Sequence, residues 1–156
     1  MVDFLKNRVG ETLTKARTIT HSEIWRMVFD DPGFRKQLLD WVRYDQLFEK
    51  GVDEDNEIIG FYSEWTELLN PSKVAGTPYT LYDTGEFYSS FYLVVTNDSF
   101  IIDADPIKTD ENGDVTNLFN EYGDGIVGLN EESRAKLAEE ISKRYAQIYR
   151  RLLFGN

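Results

Sequence analysis

The chain has no cysteine and a single histidine, His21. The first absence removes disulfides, thiolate nucleophiles and cysteine-ligated zinc. The second removes any metal site built on several histidines. No apolar run reaches the roughly 20 residues that a membrane-spanning helix needs. The N-terminus carries Asp3, Lys6 and Arg8 where a secretory leader would have an apolar stretch, so synthesis in a cytoplasm is the expectation. Basic residues are nearly missing from one long segment. Residues 51–130 hold 2 basic and 16 acidic side chains, net −14, whereas residues 1–50 are net +1 and residues 131–156 net +2. The whole excess of the chain's −11 therefore lies in its middle. Gripping phosphate takes Lys and Arg, so this segment is not expected to bind nucleic acid. It fits a solvated acidic face, or a wall past which DNA moves without sticking.

What is present suffices for a core. The 156 residues are 41% hydrophobic and 14% aromatic, too apolar for a disordered chain. The expected class is α+β, with helices at both ends packed on a small antiparallel sheet. Residues 1–20 read as an N-terminal extension or docking arm and residues 21–156 as one domain. Leu5, Val9, Leu13 and Ala16 give the first segment a mild helical period, weakened by Gly10 and three threonines. Ser22 is the expected cap of a second helix. Pro32 opens a third, with Asp30 or Asp31 as cap. Phe34, Leu38, Trp41, Val42, Asp45 and Phe48 form its stripe, and Gly51 ends it. His21 reads as an ordinary residue before a helix. Ser63 to Leu69 gives one or two helical turns. Phe91–Thr96 and Phe100–Ala104 form a hairpin about Asn97-Asp98-Ser99. Val115–Tyr122 reads as a short helix. Asn130 caps the last helix, whose stripe is Leu137, Ile141, Tyr145, Ile148 and Leu152.

Near the middle stands Leu81-Tyr82-Asp83-Thr84-Gly85-Glu86-Phe87-Tyr88-Ser89-Ser90-Phe91. Asp83-Thr84-Gly85 is a tight corner, since Asp and Thr bond nearby amides and Gly accepts positive φ. Asp-Thr-Gly is also the triplet of aspartic proteases, in which the Asp shares a proton with a second Asp. Ile126-Val127-Gly128-Leu129-Asn130 has the look of the apolar segment that supports it. Against this stand Glu86, where that family has a small residue, the helix-rich flanks, and the lack of a glycine-rich flap. Ser89 and Ser90 have no base in a motif. Asp103 and Asp105 are paired carboxylates at a strand exit. Asp53-x-Asp55-x-Glu57 with Glu64 at the twelfth place follows a calcium loop, but Ile58 stands where the loop needs glycine. Asp110-Glu111-Asn112-Gly113-Asp114 is a second acidic turn with a displaced glycine. An aspartic-type protease and a calcium-dependent binding module thus remain as alternatives.

The run Leu81, Asp83, Thr84, Gly85, Phe87, Tyr88, Ser90, Phe91 resembles the Thr-Gly signature of tail-completion and head–tail joining proteins of tailed bacteriophages. The likeness includes the apolar strand and hairpin that follow, and the upstream Gly76-Thr77-Pro78. Gln46 to Asp53 with Gly51, and Gly60, Tyr62, Ser63 and Thr66, are similar to runs in small virion proteins of crAss-like phages. The resemblance spans about residues 45–130. It implies a non-enzymatic, ring-forming neck subunit that joins portal and tail. Its place would be the virion, its partners identical neighbours, the portal and other neck or tail proteins. The genome would pass without specific binding, and no membrane would be involved. The signature marks a structural position and an interface, so no catalytic residue, metal or cofactor is implied. Of Tyr79, Tyr82, Phe87, Tyr88, Phe91 and Tyr92, about half are expected in the subunit's own core and the rest at interfaces. Residues 1–20 and Leu152 to Asn156 are the expected docking arms.

Overall fold

Helix packing supplies most of the core, and a run of fully buried residues at four-residue spacing defines its axis. The computed structural model describes residues 2–110 and 112–155, with side chains from residue 8 onward. Helix α1 spans Val2–Thr18, α2 His21–Phe29 and α3 Pro32–Asp40. Helix α1 continues through its weak formers, and Thr12 and Thr14 satisfy their hydroxyls on the carbonyls of Arg8 and Gly10. Thr20, not Ser22, caps α2. Its backbone is extended and its hydroxyl accepts the Glu23 amide. Thr20-His21-Ser22-Glu23 is a capping-box spacing, and Ser22 lies inside the first turn. Asp31 caps α3 through the Gly33 amide, with Pro32 in the first turn.

After Asp40 the helix loosens into a π-helical segment, Trp41–Phe48. Phe34, Leu38, Val42 and Gln46 are all buried. Four-residue steps on an α-helix advance by roughly 40° each. The wider π-turn brings Gln46 and Leu47 back over the core and rotates Phe48 outward. Phe48 is thus half exposed and not part of the inner stripe. Gln46 takes the inner place. Its Nε2 donates to the Gly128 carbonyl at 3.0 Å and its Oε1 accepts the Asn130 amide at 3.1 Å. Gly51 follows at φ +62, and its amide closes on Leu47.

Helix α4 spans Glu64–Leu69, capped by Ser63, and α5 Glu86–Ser89. Strands β1 (Tyr92–Val95) and β2 (Phe100–Asp103) pair antiparallel, Tyr92 opposite Asp103 and Val95 opposite Phe100. Leu93, Val95, Phe100 and Ile102 turn inward, and Phe100 meets Trp25 and Phe29 of α2. The small sheet proves to be two separate hairpins. The second joins β3 (Ile107–Thr109) to β4 (Val115–Asn117), where a helix was expected from Val115. Asp110 closes its turn by accepting the Asn112 and Asp114 amides, with Gly113 at φ +86. Glu111 lies outside the described residues. Asn117 then caps α6 (Leu118–Tyr122) through the Phe119 and Asn120 amides, so that helix begins three residues late. A 3-10 turn, Asp124–Val127, buries Ile126. Helix α7, Glu131–Phe154, is capped by Asn130 through Ser133 as expected. It lies along α1 and α2. Its Arg144 binds Asp31 at 2.6 Å and covers the Phe34 ring at 4.4 Å. His21 stacks on Tyr145. The chain is an α+β fold. No described helix is long and apolar enough to cross a membrane.

Candidate functional site

The Thr-Gly corner is built on backbone that other residues rarely adopt. Leu81 sits at φ +53 and Gly85 at φ +87. Left-handed backbone at a leucine costs about 1–2 kcal/mol, so neighbours must hold it. They do so from both sides. The Tyr88 hydroxyl donates to the Thr80 carbonyl, and Tyr62 Oη accepts the Thr80 amide. Thr84 Oγ1 accepts the Glu86 amide at the start of α5. Phe87, Tyr88 and Phe91 are buried, and Tyr79, Tyr82 and Tyr92 are not. Half of the aromatic cluster is therefore core, as expected. Tyr82 meets Phe48 at 5.6 Å and Tyr88 at 5.1 Å, edge to face. The π-helical segment thereby braces the corner. Burial first, then the facing Tyr62, Tyr44 and Tyr82, pushes the Tyr88 phenol far above its ordinary range.

A cleft of about 380 Å³ opens beside the corner. Leu81, Asp83, Thr84, Gly85 and Phe87 line it together with Tyr62, Tyr79 and Tyr122. Burial pushes the Tyr122 phenol up to about 12, helped by the adjacent Glu121. Asp83 is the hub. Its Oδ2 accepts from Lys108 Nζ at 2.8 Å and its Oδ1 from Lys73 Nζ at 3.2 Å. These are the two basic residues of the acidic segment 51–130. One comes from the loop after Pro71 and the other from β3, so a single carboxylate ties three segments together. The Lys108 bond, then the Lys73 bond, hold Asp83 below the usual aspartate range.

The chemistry-bearing side chains here are engaged in structure. An aspartic-protease carboxylate shares its proton with a second carboxylate, and Asp83 has two ammonium groups instead. Ser89 donates to the Glu86 carbonyl. Ser90 donates to the Phe87 carbonyl and accepts the Asp105 amide, tying α5 to the start of the second hairpin. Asp103 and Asp105 have separate tasks. Asp103 accepts from the Tyr92 hydroxyl and Asp105 from the Ile107 amide. Asp53 accepts the Asp55 and Glu57 amides. Among the described residues no group of three His, Cys, Asp or Glu is placed to hold a metal ion.

A feature of α4 escaped the sequence reading. Trp65, Leu68 and Leu69 are each about 70% exposed, and Phe61 and Val74 are about half exposed. Glu67 holds the Val74 loop to the helix through the Ala75 amide. The signal was available, because positions i, i+3 and i+4 share one helix face. That face has no covering element among the described residues. No family model matches the chain, and neither a curated protein nor a solved structure is found similar to it.

The ion pairs of Asp83 make an acid-side prediction. A depressed pKa stabilises the fold above the unfolded aspartate value, near 4, and that contribution fades as pH falls through the folded value. Asp83 is 42% exposed, so screening leaves it under about 1 kcal/mol. Asp83→Asn is expected to remove this acid dependence and to shift neutral-pH urea stability only slightly. A carboxylate titrating above the usual aspartate range by NMR would contradict the pairing.

Proposed function

We propose that this chain is a non-enzymatic, ring-forming connector subunit of a tailed-phage virion, acting between portal and tail. One contrast supports the reading. Asp83, Thr84, Ser89 and Ser90 of the Thr-Gly corner are bonded within the fold, while the apolar face of α4 is left open. A catalyst keeps its nucleophile or acid free to meet substrate. An assembling subunit keeps an apolar surface free to meet a partner. The corner serves as a brace that sets the outer loops, and the α4 face serves assembly. On this reading the acidic segment borders the DNA path, where negative charge limits adhesion. The motif residues Leu81 to Phe91 contribute the scaffold, and their exposed members, Tyr82, Asp83, Thr84, Glu86 and Ser89, contribute to the surface.

Depletion in the producing phage tests this. Infections lacking the chain are expected to accumulate filled heads and tails that stay unjoined. Wild-type chain and Asp83→Asn are both expected to restore joined particles when supplied in trans. Rescue by wild type but not by a folded Asp83→Asn would transfer the function to carboxylate chemistry and overturn the proposal.

A further inference from the structure

A second unpartnered apolar stripe lies at the other end of the sequence. Val9 and Leu13 of α1 are 58% and 56% exposed, one helical turn apart. Among the residues of α1 whose side chains are described, Thr12 and Ala16 are half-buried, and the helix packs along α7. The two helices have opposite charge. Val2–Thr18 contains 4 basic and 2 acidic residues. Helix α4 contains the acidic residues Glu64 and Glu67 and no basic one. The charges also sit in matching places. Arg17 follows Leu13 by one turn, and Glu64 precedes Leu68 by one turn. Neither Arg17 nor Glu64 has an ion-pair partner among the described residues.

We infer that the α4 face of one copy receives α1 of the next, with Val9 and Leu13 packed on Trp65, Leu68 and Leu69 and Arg17 facing Glu64. This rests on the ring reading above and names its contact. The two surfaces differ, so the contact is head to tail. A repeated head-to-tail contact closes into a ring when its rotation permits. A second copy is favoured over a lipid surface because α4 carries Glu64 and Glu67, which anionic headgroups repel.

The cysteine-free chain makes the test clean. Leu13→Cys and Leu68→Cys are prepared as separate full-length proteins, mixed at high concentration and oxidised. A disulfide-linked dimer is expected in the mixture, at least tenfold above either variant alone. Arg17→Glu in the first protein should lower its yield several-fold, and Glu64→Arg in the second should restore it. Leu68→Cys dimers formed alone would overturn the inference in favour of a two-fold contact. So would oligomers of the correct size that fail to cross-link, a result that leaves the ring reading standing. A mixture that stays monomeric at its highest soluble concentration also overturns self-association through these faces. The depletion phenotype, which needs no assembly in solution, then judges the connector reading separately.

Discussion

Gln46→Leu is expected to destabilise the fold by about 3 kcal/mol, although leucine is the better core residue by composition. Gln46 is 1% exposed and bridges two backbone groups that lie more than eighty positions away in sequence. The Asn130 amide and the Gly128 carbonyl both depend on its side chain. Leucine would leave both unsatisfied, at about 1–3 kcal/mol each, offset in part by greater apolar burial. Asn130 caps α7, so the loss falls on the junction where the longest helix begins. Urea denaturation should show a lower midpoint with an unchanged slope. The melting temperature should fall by about 6–12 °C for a chain of this size. A neutral outcome would mean that the π-helical segment does not present Gln46 to this junction.

Gly51→Val is expected to cost about as much or more, by a different route. Gly51 sits at φ +62, where an L side chain is strained by about 1–2 kcal/mol. A Cβ there would stand 2.4 Å from Pro78 Cβ and 2.7 Å from the Tyr79 carbonyl oxygen. Backbone must move to admit it, which adds about 1–3 kcal/mol. The displaced residues, Pro78 and Tyr79, lead into the Thr-Gly corner and its cleft. The variant should therefore loosen the corner as well as lower stability, seen as faster hydrogen exchange around Thr80. Gly76→Ala is the control. Gly76 has φ +79 but open space about it, so only the backbone strain of about 1 kcal/mol remains. Equal losses in the two variants would contradict the close approach of the Pro78 loop to Gly51.

Much of this architecture is legible in the sequence, for reasons that are local. Pro32 after Asp31, Gly51 after Lys50 and Asn130 before two glutamates each act within a single turn of chain. Helix α7 carries its own apolar period, and the β1–β2 hairpin its own turn. The misses are long-range or hidden in ambiguous chemistry. A buried glutamine reads as a surface residue, and four-residue spacing does not announce a π-turn. Val115 and Thr116 fit either a helix or a strand, and their pairing with Lys108 and Thr109 decides between them. The cleft was visible only in part. The Thr-Gly corner stood out, but the link from Asp83 to Lys73 and Lys108 comes from three separated segments. The open face of α4 was missed because Trp65, Leu68 and Leu69 look like core residues until no element among the described residues is found to cover them.

The central claim is that the chain works by occupying a joint in a particle. Gold-labelled antibody raised against the purified protein, applied to intact particles and to particles stripped of tails, tests it most directly. Label at the head–tail junction of both, stronger where tail removal uncovers the neck, is the result this account predicts. Particles that carry none of the protein would contradict it.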